Sequence, residues 1–319
     1  MKDPAVSVIM PAYNHERYVG EAIESVLNQT FTDFEFIIIN DGSTDGTDRV
    51  IRTYNDPRIL YYTQDNIDAP NTLNRGLSLA KGKYVSIINS DDVYHPERLS
   101  CLVETAEAKD AMLVITDLVF IDESSAVIRD PSHTYNSWYS GLKSIYLDTG
   151  SLEKAFFIGN MAVTTSNLFF HSELIKEVGF FNSYRYTHDY DFILRALIRY
   201  RDRFLFLDDK KYLFYRLHGK NTIKESPLQS HVETVDILLK RILDFIHSER
   251  DKTSAETALK SIQDLYMHAF YLVKGMENTR SWKITAPLRW LFERYLNLSE
   301  SIKRFMNKGS FDENRSGNP

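Results

Sequence analysis

Several short segments of this 319-residue chain carry residue types that do chemistry, and most of them stand directly behind apolar runs. Asn89-Ser90-Asp91-Asp92 follows Tyr84 to Ile88 and offers adjacent carboxylates, the oxygen donors that a hard divalent cation uses alongside substrate phosphates and water. Asp41-Gly42 opens the run Asn40 to Thr47 behind Phe34 to Ile39, placing an acceptor group and exposed backbone N–H groups at the end of a buried strand. Pro11-Ala12-Tyr13-Asn14 ends the apolar run from Val6; proline there stops a ladder, and Tyr13 presents a flat ring on which a base stacks. His188-Asp189-Tyr190-Asp191 opens a helical pattern carrying Phe192, Ile193, Ala196, Leu197 and Tyr200. Asp189 shares the face of Ile193 and Ala196 and points inward, whereas Asp191 stands four residues before Arg195 and pairs with it on a flank.

Each segment alone has a plainer reading. Asp-Gly pairs make tight turns, Asn14 can cap a helix, and Asp91-Asp92 ahead of Pro96 can be a solvated helix entry. Asp189 can be a first-turn acid stabilised by the helix dipole, which would favour the anion and weaken a base.

The elements that must position these groups are legible as periodicity. Residues 5 to 117 alternate β-rich runs with helical patterns, the signature of β-α-β units and a parallel sheet. Strands are predicted near Val6 to Met10, Phe34 to Ile39, Ile59 to Tyr62, Tyr84 to Ile88 and Met112 to Thr116. Ala22, Ile23, Val26 and Leu27, then Leu99, Leu102, Val103 and Ala106, recur at helical spacing. An aromatic, Ser-rich stretch from 130 to 160 reads as loop and short helix over the site, a place for an acceptor. A strand at Ala162 to Phe170, a helix after Ser172, a helix at Asp189 to Tyr200 and a strand at Tyr212 to Arg216 follow. Beyond about 225 the pattern is helical, with Val235, Ile237, Leu238, Leu239, Ile242 and Phe245.

Composition excludes several classes. A net charge of -6 and a pI near 5.9 argue against nucleic acid as a partner, since no basic excess is available for phosphates. One cysteine, Cys101, permits no internal disulfide. Met1-Lys2-Asp3-Pro4 runs straight into a strand without an apolar leader, and no apolar run approaches the roughly 18 residues of a membrane span. The expected location is cytoplasmic, with peripheral membrane contact only.

Taken in this order, the motifs resemble those of the family 2 glycosyltransferases over roughly residues 5 to 220. The resemblance implies a GT-A fold, a Rossmann-like, mainly parallel mixed sheet flanked by helices, and inverting transfer of a sugar from a nucleotide diphosphate donor. It implies that Pro11, Ala12, Tyr13, Asn14 and Asp41 contact the nucleoside, with Asn74, Ser90 and Asp91 also at the donor. The metal, Mg²⁺ or Mn²⁺, falls to Asp91, with Asp92 in support and His218, within Tyr215 to Asn221, completing the shell. Asp189 matches the family's general base, with His188 replacing the more usual Glu. Asn89 departs from the family's first Asp, Ile67 and Asp68 stand where glycines are common, and Leu73 where an arginine often is. A carboxylate at Asp41 accepts the imide N–H of uracil or thymine, which cytosine lacks, so the donor is read as a UDP-sugar before a dTDP-sugar. The sugar is read as a hexose or N-acetylhexosamine, and the acceptor as a hydroxyl of a glycan or lipid-linked carrier in cell-surface polysaccharide synthesis. Two rivals stand beside it. A sugar-phosphate nucleotidyltransferase would need a glycine-rich basic loop, whereas the stretch after Tyr13 offers Arg17 and Gly20. A catalytically degenerate nucleotide-sugar binder would account for Asn89 and Leu73.

The resulting domain reading is a catalytic unit at 1–224, a helical extension at 225–307 and a disordered tail at 308–319. Ser281 to Arg289 resembles a tail motif of bacterial polysaccharide glycosyltransferases. From 280 to 308, Arg280, Lys283, Arg289, Arg294, Lys303, Arg304 and Lys308 face only Glu293 and Glu300. With Trp290, Phe292 and Leu296 this suits a basic amphipathic helix on an anionic membrane, or an ordinary capping helix. On the membrane reading, deleting residues 280 to 319 abolishes co-sedimentation with anionic liposomes; undiminished binding removes that reading.

Overall fold

The computed structural model describes residues 3–219, 221, 225–247 and 260. The chain divides into two compact units, Met1–Glu225 and Ser226–Pro319. In the first, strands β1 (Val6–Ala12), β2 (Phe34–Asp41), β3 (Ile59–Gln64) and β4 (Tyr84–Ile87) form a parallel array in the order β3-β2-β1-β4. Helices α1 (Val19–Leu27), α2 (Thr47–Ile51) and α3 (Ala69–Leu79) lie in the connections, as parallel neighbours require a crossover between them. β1 and β2 are central, and Val8, Ile9, Met10, Ile37, Ile38 and Ile39 are wholly buried, which explains why both read as continuous apolar runs rather than alternating ones.

Beyond β4 the sheet becomes mixed. β7 (Phe169–His171) lies antiparallel between β4 and β6 (Leu113–Ile121), β8 (Phe204–Arg216) runs parallel to β6, and the short β5 (Val93–Tyr94) closes the far edge. This is the GT-A-like architecture that the motif order implied.

Some local expectations are corrected. Pro11 does not stop its strand: it stays in register with Ile39 of β2. Pairing of β1 with β4 ends at Ile9 and Ile87, and Pro11 shares the parity of Ile9, so its missing N–H faces the side where the neighbour has already left. The strand expected over Ala162 to Phe170 shrinks to Phe169–His171, preceded by a 3-10 turn at Thr165–Asn167. There, side-chain bonds replace the ladder: Thr164 caps Ser166, and the Asn167 amide oxygen accepts the Thr116 N–H at 3.0 Å. The stretch from 130 to 160 is mostly helix, as α5 (Thr134–Thr149) and α6 (Leu152–Ile158). Tyr135, Tyr139, Leu142 and Tyr146 line one face of α5 at helical spacing, and Lys143 pins the helix to Asp117 at 2.7 Å, where β6 and β8 lose register. α4 (Arg98–Lys109) and α7 (Leu174–Val178) complete the frame around α8 (His188–Arg199).

In the second unit, α9 (Pro227–His247) buries Val235, Ile237, Leu238 and Leu239. The basic segment 280–308 and the tail 308–319 lie outside the described residues.

Glycines at two helical positions test the packing. A Cβ on Gly76 would stand 2.4 Å from Cγ2 of the buried Ile9, so α3 approaches β1 only because that position is bare. Gly141, on the exposed side of α5, would meet nothing within 4 Å. Alanine is favoured over glycine in a helix by about 1 kcal/mol, whereas overpacking costs about 1–3 kcal/mol. Urea unfolding should therefore show Gly141→Ala stabilising and Gly76→Ala destabilising; the same sign for both would refute the close approach.

Candidate active site

The carboxyl ends of β1, β2 and β4 meet at one edge, with Ala12 paired to Asn40 and Ile9 to Ile87. Asn14 takes the left-handed conformation, φ 53°. Its N–H donates to Ser43 Oγ at 3.0 Å and its Oδ1 accepts from the Thr44 N–H at 2.8 Å, stapling the turn after β1 to the turn after β2. Gly42, φ 70°, leaves only 2.8 Å between its would-be Cβ and the Asn66 nitrogen, so any other residue would push the β3–α3 loop away. Asp41 is buried. Its Oδ1 accepts from Gln64 Nε2 at 2.6 Å and from the Ile67 N–H at 3.0 Å. Oδ2 bonds to nothing among the described residues. Tyr13 beside it is 46% exposed, its ring open to a stacking partner.

The departures at Ile67 and Asp68 become intelligible here. Asp68 sits at φ 77°, ψ 164°, a region that favours glycine, and its Oδ1 offsets the strain by capping the Asn71 N–H at 3.0 Å. Asn74 does not face the donor edge with a free amide. Its Nδ2 donates to the Phe181 carbonyl and its Oδ1 accepts the Phe181 N–H, both at 2.9 Å, so it ties α3 to the segment before α8 instead.

The acidic loop after β4 separates its two carboxylates. Asp92 is wholly buried: Oδ2 accepts from Ser166 Oγ at 2.5 Å and Oδ1 from the Arg216 N–H at 3.0 Å. Burial and the charge of Asp91 push its carboxyl well above the usual range. Asp92 is thus a structural anchor, not a member of the ligand cluster expected from sequence. Asn89 has a matching reason to be an amide: it donates to Thr164 Oγ1 at 2.9 Å and accepts from Thr165 Oγ1 at 2.8 Å, using both polarities on the 3-10 turn.

Asp91 faces two imidazoles. His218 Nε2 lies 2.9 Å and His15 Nε2 3.8 Å from Asp91 Oδ2, and one ligand atom from each of the three residues falls within 4.8 Å of the others. Burial would raise the Asp91 carboxyl, but His15 and His218 hold it below the usual range. Two nitrogens and a carboxylate converging this way can hold a divalent cation, so the donor chemistry fits. His15 was not foreseen; it directly follows the Pro-Ala-Tyr-Asn run, but only folding brings it to Ser90 and Asp91.

Arg216 fastens the arrangement. Nε donates to the Asp91 carbonyl at 2.8 Å, Nη2 to Glu21 at 2.6 Å, and the guanidinium lies 5.0 Å from the Tyr18 ring centroid, whose own distance to the His218 ring is 5.1 Å. The end of β8 therefore carries both His218 and the brace of the loop that presents Asp91.

Asp189 is nearly buried at the start of α8. Asn160 Nδ2 donates to Oδ2 and the Tyr190 N–H to Oδ1, both at 2.8 Å. Burial lifts its carboxyl above the usual range against these donors and His188, the direction opposite to the lowering that a helix dipole would give. Asp191 pairs with Arg195 at 2.9 Å as the spacing predicted, but wholly buried, with Asn182 as a further donor at 2.7 Å. The half-buried phenol of Tyr215, raised by burial first, also feels Asp92, Asp91 and Asp189.

Such a sheet, with carboxylates and imidazoles at its carboxyl edge, defines a GT-A-like sugar transferase class. The model of the family described as Glycosyl transferase family 2 matches residues 7–170, and the chain belongs to that family. It is 30% identical over 224 residues to a glycosyltransferase of Rickettsia typhi, covering 69% of this chain and 66% of that one. It is 26% identical over 261 residues to the glycosyltransferase GlyG of Streptococcus pneumoniae, covering 76% and 80%. The match thus spans about two thirds of the Rickettsia relative. Among solved structures, S. aureus TarS 1-349 with UDP-GlcNAc superposes with a TM-score of 0.67 at 17% identity, covering 92% of this chain and 81% of that one. The mannosyltransferase PcManGT from Pyrobaculum calidifontis, with GDP-Man and Mn²⁺, gives 0.56 at 19% identity over 97% and 89%. The family membership disfavours the nucleotidyltransferase reading.

Removing the Asn160 donor takes away a bond to the ionised form of Asp189. Asn160→Ala should move the Asp189 titration, followed by ¹³C NMR of its carboxyl, to higher pH, with the deprotonated form present only above the new value; an unchanged titration would show that Asn160 does not hold the anion.

Proposed function

We propose that the chain transfers a hexose or N-acetylhexosamine from a UDP-sugar to a hydroxyl of a glycan or lipid-linked acceptor, with inversion at the anomeric carbon. The observation that carries this reading is the convergence of Asp91, His15 and His218 at the carboxyl edge of the sheet, in a chain whose buried Asp189 has its carboxyl raised above the usual range. TarS solved with UDP-GlcNAc supports the choice of nucleotide. So does the open Oδ2 of Asp41, which suits the uracil imide N–H, with Tyr13 stacking on the base and Pro11, Ala12, Asn14 and Ser90 lining the same edge.

Asp91 and His218 would hold a divalent cation, whose positive charge would offset that of the departing diphosphate. The remaining steps fall to the chain's own residues. The acceptor oxygen bonds to the anomeric carbon as the bond from that carbon to the diphosphate oxygen breaks, through an oxocarbenium-like transition state. The acceptor's proton passes to Asp189, whose elevated carboxyl is a stronger base than an exposed aspartate. Asn160 and the Tyr190 N–H hold that carboxylate in one orientation for the transfer.

The unit at 1–224 is proposed as the catalytic part and 225–307 as a helical extension, in a cytoplasmic protein that meets the membrane peripherally through 280–308. Among the described residues no helix is long and apolar enough to cross a membrane.

Asp189→Asn removes the proton acceptor while keeping size and polarity. Transfer should fall by about 10²–10⁴-fold, while stabilisation of the fold by UDP-sugar and Mn²⁺ in thermal unfolding stays near that of the unaltered chain. Near-normal turnover would remove Asp189 from the role of base. Stabilisation by a GDP-sugar in place of the UDP-sugar would overturn the donor assignment.

A further inference from the structure

The ligand cluster contains more nitrogen and less charge than the sequence motif implied. Asn89 is neutral and occupied by Thr164 and Thr165, and Asp92 is turned inward to Ser166 and Arg216. Asp91 is the one anion left, facing the imidazoles of His15 and His218. Resting on the metal-assisted reading above, we propose that His15 is a third protein ligand, aimed by Ser90, and that this two-imidazole set selects Mn²⁺ over Mg²⁺.

His15 is held as a ligand needs to be. Its N–H donates to Thr47 Oγ1 at 2.9 Å, and its carbonyl accepts from the Tyr18 and Val19 N–H groups, each at 2.9 Å, where α1 begins. The ring packs edge-on to His218 and Tyr18, at centroid distances of 5.6 and 6.1 Å. Nδ1 lies 2.8 Å from Oγ of the buried Ser90. With the ring proton on Nδ1 and donated to Ser90, the Nε2 lone pair is free on the side of Asp91; a partner on the far nitrogen fixes a metal-binding imidazole in this way. Ser90 adjoins Asp91 in the chain, so one short loop supplies both the carboxylate and the group that orients the imidazole. Mg²⁺ favours oxygen donors and retained water, whereas imidazole nitrogen suits the transition-metal ions better. Ser90 is a positioning residue in this scheme, and His15 sets the selectivity.

The experiment uses the full chain and metal alone, without nucleotide or acceptor, so its outcome is independent of whether Asp189 is the base. Bound Mn²⁺ is titrated by electron paramagnetic resonance, displaced with Mg²⁺, and its directly bound ¹⁴N nuclei are counted by electron spin-echo modulation. The unaltered chain should show two imidazole nitrogens and His15→Ala one. His15→Gln, which keeps a polar partner for Ser90 but offers oxygen, should narrow the Mn²⁺ to Mg²⁺ affinity ratio by about tenfold or more, and Ser90→Ala should weaken Mn²⁺ by about 10–100-fold with two nitrogens retained. A single ¹⁴N or no bound Mn²⁺ in the unaltered chain, or an unchanged ratio in a normally folded His15→Gln, would overturn the inference. Transfer by such a chain would leave the glycosyltransferase reading standing without it.

Discussion

A buried carboxylate holds this site together. Asp92 joins three segments distant in sequence: its own loop after β4, the 3-10 turn through Ser166, and the end of β8 through the Arg216 N–H. A carboxyl group buried there without partners would cost several kcal/mol, about 2–7 for an unpartnered polar group, so its hydrogen bonds are obligatory whichever form it takes. Meeting that requirement orients what surrounds it. The Asn89–Asp92 loop is drawn down onto the turn, Asp91 is left facing His15 and His218, and the end of β8 arrives carrying Arg216 and leading into His218. Arg98 reinforces the turn from beneath, donating to the Asn167 carbonyl at 3.0 Å and to Thr116 Oγ1 at 2.6 Å.

From that arrangement comes an electrostatic contrast between two aspartates of the same type. Asp91 stands against imidazoles that favour its anion, whereas at Asp189 desolvation at the start of α8 outweighs the donors around it. Environments that push like groups apart assign them different work: one suits permanent charge, the other suits exchange of a proton. Tyr215, near the end of β8, belongs to the same strand end that secures Asp92.

Much of the frame was legible as pattern. The apolar runs of β1, β2 and β4 announced a parallel sheet because strands buried on both faces leave no alternation to confuse. Asp191 and Arg195 were readable as a pair because helical spacing alone brings them together. The helix α5 was not, since its inward face is built from tyrosines that read equally well as loop over a site. The turn at Thr165–Asn167 was hidden for a related reason: its Thr, Ser and Asn side chains replace ladder bonds with contacts to Asn89 and Thr116 that no local window contains.

The sequence by itself determined which groups stand at the ends of which elements, because backbone periodicity is a local property. It placed Asp41, Asp91, Asp189 and His218 at plausible chemical positions and marked Asn89 as a departure. Only the tertiary structure decided which of them share a site and what state each is in. His15 meets Ser90 across 75 residues and Asn160 meets Asp189 across 29, while Asn74 is claimed by Phe181 and Asp92 by Ser166 and Arg216. Hydrogen bonds and desolvation act through space, and the distances through space exist only once the sheet has brought its strand ends together.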